Sequence, residues 1–192
     1  GSIIDEHQQV RTSGGLFDVS HMGRLRFKGK DACNLLDRLC TRQILGMEEG
    51  QIRYSLVCNE EGGCLDDVLV YRDGAASYLM VCNGANREKI WSHIERNKND
   101  FICKVIDETE STAMIAIQGP KVMELFTEFS SEVPTLKRYR FTTKNLFVAK
   151  FMISRTGYTG EDGVEVILPK AFAQKAVEMM FKHVDDIDVV KP

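Results

Sequence analysis

Apolar positions along this chain switch repeatedly between the helical spacing of three to four and the strand spacing of two. Ile3, Ile4, His7 and Val10 recur at helical spacing and stop before Gly14-Gly15, which predicts a short first helix. Leu16 to Phe27 alternates as a strand, interrupted near His21-Met22-Gly23. There the glycine marks a bulge or a close approach of backbone. Ala32, Leu35, Leu36 and Leu39 form one apolar face of a helix over residues 31–40. Tyr54 to Val57 and Leu65 to Tyr71 are apolar runs on either side of a polar turn, a hairpin pattern. Tyr78 to Cys82 follows the turn at Asp73-Gly74 as a buried strand, so the three strands form a meander in an antiparallel sheet.

Asn83-Gly84-Ala85-Asn86 opens a helix through Ile94, with either asparagine as its cap. Phe101 to Ile106 and Thr112 to Ile117 predict strands. Pro120 suits the first turn of a helix whose inner face is Val122, Leu125, Phe126 and Phe129. Residues 145–154 predict one long strand, with Phe147, Ala149, Phe151 and Ile153 alternating against Val148, Lys150 and Met152. A glycine-rich turn then leads into a strand over Val164 to Leu168, and Phe172 to His183 is an amphipathic helix. Strands and helices do not alternate strictly, which disfavours a doubly wound parallel sheet. The expected class is α+β, with antiparallel sheets flanked by helices.

Composition narrows the classes of function. The 192 residues are 43% hydrophobic and 28% charged, with a formal net charge of −3. That balance lacks the basic face a nucleic-acid partner requires. No apolar run approaches the roughly 18–20 residues that cross a bilayer. The six cysteines form no CxxC pair and lie mostly inside apolar patterns, so reduced thiols in a reducing compartment are expected. The four histidines lie far apart, and no metal site is expected. Gly1-Ser2 matches the remnant of a cleaved tag. With no repeat and no linker-like stretch, composition reads as one α+β unit.

Four stretches hold candidate chemistry. In NEEGGCLDD, residues 59–67, Asp66 and Asp67 are adjacent on a strand and must point to opposite faces. One carboxylate therefore turns inward, as a structural anchor or as a working group that polarises an amine or takes a proton. In RTGYTGEDGVE, Tyr158, Glu161, Asp162 and Glu165 crowd a glycine-rich turn. Its glycines precede a strand, so this is not a dinucleotide fingerprint. A glutamate after such a turn can accept two hydrogen bonds from an amidine-like edge, as a pterin or purine presents. Asn83 ends a buried strand, either as a cap or as a side chain in a crevice. FDVSHMG has a single histidine and no elbow serine, which gives covalent hydrolysis little support.

Together GLFDVSHMG, NEEGGCLDDVLVYR, IAIQGP and SRTGYTGEDGVEV resemble the glycine-cleavage T-protein, the tetrahydrofolate-dependent aminomethyltransferase family. Related folate-binding regions occur in dimethylglycine and sarcosine dehydrogenases and in a non-enzymatic folate-binding assembly factor, whose cysteine-bearing motif is absent here. The resemblance implies a folate-binding domain of the aminomethyltransferase type. It implies transfer of an aminomethyl carbon from the lipoyl arm of a carrier H-protein to tetrahydrofolate, releasing ammonia, with no metal. It implies that Asp67 is the catalytic carboxylate, and that Tyr54, Asn83, Tyr158, Glu165 and Met22 bind the folate. In this picture Tyr54 and Asp67 face each other across the hairpin, and Glu165 arrives from a distant segment. Asp66 is then left as the structural partner.

The resemblance also implies a discontinuous first domain, residues 1–25 with 109–192, and an inserted α+β domain, 26–108. Family members begin earlier and continue past Lys191-Pro192 with an arginine that contacts folate. A truncated folate-binding fragment with weak binding and little turnover is therefore expected. Its compartment would be the bacterial cytoplasm or, alternatively, the mitochondrial matrix. The expected partners include neither nucleic acid nor membrane.

Overall fold

A computed structural model describes residues 2–146 and 149–184. The predicted alternation at Phe147 and Val148, Gly1, and the end at Lys191-Pro192 lie outside the described residues. In chain order the elements are α1 (Ile3–Thr12), β1 (Gly15–Asp18), β2 (Gly23–Lys28), α2 (Ala32–Leu39), β3 (Ile52–Cys58), β4 (Cys64–Gly74) and β5 (Ser77–Cys82). They continue with α3 (Arg87–Asn97), β6 (Lys104–Asp107), β7 (Thr112–Gln118), α4 (Val122–Phe129), β8 (Phe141–Leu146), β9 (Ala149–Ser154), β10 (Gly163–Pro169) and α5 (Ala173–Val184). The described strands form two antiparallel sheets, ordered β1-β7-β10-β9-β8 and β3-β4-β5-β2-β6. The fold is α+β, as the patterning predicts.

The chain divides into two compact units, Gly1–Ser20 with Ser111–Pro192, and His21–Glu110. In the inserted unit, α2 buries Leu35, Leu36 and Leu39, and α3 buries Ile90 and Ile94. They join Leu25, Phe27, Val68, Val70 and Met80 of the sheet in one core. Each such side chain contributes about 1.5–3 kcal/mol by leaving water. Truncating Leu36 to Ala would cost about 2–5 kcal/mol, because the cavity term adds to lost burial. In the other unit, Ile115, Ile117, Val164, Val166 and Leu168 of the sheet pack with Val122 and Phe126 of α4.

Four local expectations change. The predicted strand over 145–154 is two strands, β8 and β9, paired antiparallel with Leu146 opposite Ala149. Alternation records which face a residue takes, not where the chain reverses. Pro120 lies before α4, whose N-cap position is Lys121. Residues 84–86 make a single 3-10 turn before α3, and neither Asn83 nor Asn86 caps through its side chain. Of the apolar positions in α1 only Val10 is buried, while Ile3 and Ile4 are exposed. The pause at His21-Met22-Gly23 separates β1 and β2, which belong to different sheets. Gly23 is there for close approach, since a Cβ would stand 2.4 Å from the Cys82 sulfur.

Candidate functional site

The β3–β4 hairpin positions the paired aspartates. Its turn is tied by Asn59, whose Oδ1 accepts from Gly63 N at 2.6 Å and whose N–H donates to the Gly63 carbonyl at 2.9 Å. Along β4, Asp66 shares the inward face with Val68 and Val70, and only 4% of it is exposed. Asp67 takes the opposite, half-buried face. The strand register sets β4 against β5 with Val68 opposite Cys82, so Asn83, just past β5, arrives beside Asp67.

Three N–H groups then converge on the buried Asp66 carboxylate. Asn83 N donates to Oδ2 at 2.9 Å, Asn83 Nδ2 to Oδ1 at 2.9 Å, and Asn86 Nδ2 to Oδ1 at 2.5 Å. Burying a carboxylate is tolerable when its lone pairs are met in this way. The same Asn83 Nδ2 also lies 3.0 Å from Asp67 Oδ1 and 3.2 Å from the Asp67 carbonyl oxygen. A side-chain amide has two hydrogens, so Asn83 ties the two aspartates together. Burial, with the charge of Asp66 adding to it, pushes the neighbouring Cys82 thiol up to about 12.

Tyr54 stands opposite Leu69, and Asp67 opposite Leu56. Tyr54 and Asp67 therefore share a face on the diagonal and do not meet head on, because the hairpin pairs each two positions from the other. Tyr54 and Leu56 on that face are 39% and 37% exposed, an accessible apolar shelf beside the carboxylate. Met22 belongs to the same unit, and its carbonyl accepts from Arg24 at 2.6 Å.

Glu165 belongs to the other unit. It lies on β10 between Ala116 and Ser154, on the face opposite the core residues Val164 and Val166. Burial raises its pKa above the ordinary carboxylate value, and the hydrogen bond from Thr156 Oγ1 opposes that rise. Ser154 Oγ donates to the Glu165 carbonyl at 3.0 Å and lies 2.9 Å from Thr156 Oγ1, so a hydroxyl pair backs the carboxylate. Gln118 frames this loop. Its Nε2 donates to the carbonyls of Thr156 and Val164, and its Oε1 accepts from Thr159. A Cβ on Gly157 would fall 1.8 Å from Gln118 Oε1, so the glycine is needed for contact. Arg155 clamps Asp162 through two nitrogens and holds its carboxyl below the usual range. Tyr158 projects from the loop with 82% of it exposed.

The sequence matches the GCVT N-terminal domain family over residues 1–191. This chain belongs to that family. An aminomethyltransferase from Rubrobacter xylanophilus is 47% identical over 172 residues, covering 89% of this chain and 46% of that protein. One from Thermotoga maritima is 38% identical over 188 residues, covering 97% of this chain and 52% of that protein. The crystal structure of glycine cleavage system aminomethyltransferase T from Bartonella henselae superposes with a TM-score of 0.85 at 29% identity, over 93% of this chain and 48% of that one. A chain of heterotetrameric sarcosine oxidase from Corynebacterium sp. U-96 superposes with a TM-score of 0.71 over 98% of this chain and 94% of that one. At 12% identity that likeness is one of fold alone. The chain thus spans about half the length of the aminomethyltransferases it matches.

The structure brings Asp67, Asn83 and Tyr54 onto one end and face of the inserted sheet, and sets Glu165 and Tyr158 in the other unit. Sequence reasoning missed Asn86, Thr156 and Gln118. The signal for Asn86 was there in Asn83-x-x-Asn86, where the second asparagine is one turn on. No local signal marks Gln118, whose partners lie 38 to 46 residues away. Among the described residues no group of three or more His, Cys, Asp or Glu is placed to hold a metal ion. No helix among them is long and apolar enough to cross a membrane.

Proposed function

We propose that the gene product containing this chain transfers an aminomethyl carbon from a lipoylated carrier protein to tetrahydrofolate, within glycine cleavage. The carbon forms bonds to two folate nitrogens as its bonds to the lipoyl sulfur and to its amino group break, and the hydrogens of those nitrogens leave on the thiol and on ammonia. The products are methylenetetrahydrofolate and the dihydrolipoyl protein. In this reading Asp67 meets the reactive folate nitrogen. Asn83 and Tyr54 position the ligand around it, Glu165 takes the pterin edge, and Tyr158 and Met22 are further folate contacts. The two compact units serve as the discontinuous and inserted domains.

The observation that carries the reading is the Asp67 carboxylate. It sits on an accessible apolar shelf and is held by a strand-end amide in a chain whose relatives are aminomethyltransferases. Glu165, half-buried in the other unit with a raised pKa, gains most from a partner that offers two adjacent N–H groups, which a pterin does. Tetrahydrofolate added to this chain should raise its melting temperature in a concentration-dependent way. The full gene product should form methylenetetrahydrofolate from an aminomethyl-lipoyl carrier. Absence of both effects would remove the reading.

A further inference from the structure

We infer that Asp66 is a positioning residue for the proposed transfer, acting on Asp67 through Asn83. This rests on the reading of Asp67 given above. Asn83 lies at the end of β5, where a free side chain could take several rotamers. Its backbone N–H and its side-chain amide both donate to the same Asp66 carboxylate, one to each oxygen. That double attachment fixes the χ angles of Asn83 and leaves its second amide hydrogen directed at Asp67 Oδ1, 3.0 Å away. It also settles the amide orientation, because a carboxylate accepts only and the nitrogen must face it. Asn86 Nδ2 adds a donor to Asp66 Oδ1 and pins the carboxylate from the 3-10 turn.

The anchor is rigid for a physical reason. Asp66 is 4% exposed and lies on the face that carries the core residues Val68 and Val70. In surroundings of low dielectric, hydrogen bonds to a charged acceptor are strong, and losing one leaves a costly orphan. Asp67 is half buried and accepts from the same Asn83 amide. The amide that reaches it is fixed by its neighbour. The adjacent acids thus divide the work: the inward one holds still so that the outward one is aimed.

Three variants and a cycle in the full gene product test this. Asp66→Asn keeps the shape but turns an N–H toward an N–H that needs an acceptor. It should lower kcat roughly 10–100-fold, a larger factor than any rise in the KM for tetrahydrofolate through the loosened Asn83, since a mis-aimed carboxylate loses mainly the transition state. The double variant Asp66→Asn with Asn83→Ala should lose no more than Asn83→Ala alone, because both act through one amide. Asn86→Ala removes one donor to the anchor and should give a smaller loss in the same direction. It covers the case in which Asp66→Asn fails to fold.

Losses that multiply in the double variant, or an unchanged kcat in folded Asp66→Asn, overturn the inference. A lowered melting temperature with unchanged kcat per folded molecule makes Asp66 structural only, and overturns it equally. Two arms separate this from failure of the proposed function. Asp67→Asn that keeps full activity sinks the assignment of Asp67 itself. On the 192-residue chain, 15N NMR of the Asn83 side-chain amide reads the lock without any turnover. Its protons should move and exchange faster with water in Asp66→Asn, and an unmoved signal removes the lock.

Discussion

Each compact unit withdraws a carboxylate from water, Asp66 fully and Glu165 in part, and they treat it differently. In the inserted unit Asp66 is met by three N–H donors from Asn83 and Asn86. In the other unit the Glu165 carboxylate is met by the Thr156 hydroxyl, the only side chain among the described residues that donates to that carboxylate. The first is a finished internal anchor. The second is raised in pKa by its burial and gains from any ligand that brings further donors. A buried acid with its partners supplied by the protein holds structure in place. A half-buried acid with a single side-chain donor has lone pairs left for a ligand. Asp67, half-buried beside Asp66, is reached by the Asn83 amide that Asp66 holds.

The largest way to break this comparison is Asp67→Asn in the full gene product. Aminomethyl transfer should fall at least about 100-fold, the scale of a lost proton-transfer partner, while tetrahydrofolate still binds by calorimetry. Full activity would return Asp67 to a surface role. Next, Glu165→Ala should weaken tetrahydrofolate binding by about 1.5–3 kcal/mol, the worth of a hydrogen bond to a charged group, with kcat at saturation less affected. Equal loss from an Asp66 variant in this binding assay would erase the distinction between anchor and binder.

Gly157→Ala should destabilise the unit by about 1–3 kcal/mol in chemical denaturation, since Gln118 is 1% exposed and bonded on both ends of its amide. The smallest effect sharpens the case of Glu165. Its folded pKa lies above the ordinary 4.5, so the native state holds the proton more tightly than the unfolded chain does. Stability should therefore fall as pH climbs from about 4.5 through the raised value. Glu165→Gln cannot ionise and should melt higher than the parent at pH 8 but equally at pH 4. A flat difference across pH would show that burial does not strain the glutamate.

Much of this was legible in the amino-acid order, and the reasons it stops are physical. The hairpin at residues 59–67 and the inward faces of α2 and α4 follow from period alone. Alternation requires Asp66 and Asp67 to face apart, but which of them turns inward is decided by the layer of α2 and α3, far along the chain. Asn83 is readable as a strand-end residue. Its partners are not, because they depend on the register between β4 and β5. The hydroxyl pair behind Glu165 needs β9 and β10 aligned with Ser154 opposite Glu165. The reversal between β8 and β9 was not readable, since the alternation at Ala149, Phe151 and Ile153 lies on β9 alone and does not say where β8 ends.

The β2–β6 pairing has a consequence in time. These are the first and last strands of the inserted unit, and they lie antiparallel, with Leu25 opposite Asp107 and Arg24 N bonded to Thr109 at 3.0 Å. Its two ends are therefore neighbours once it has folded. Before that, joining β1 to β7 must close a loop running from His21 to Glu110, a chain-entropy penalty on the order of 4 kcal/mol. Afterwards the span is short and the penalty largely gone. The sequence-internal unit is thus expected to fold first and to act as the clasp that lets the sheet holding Glu165 assemble.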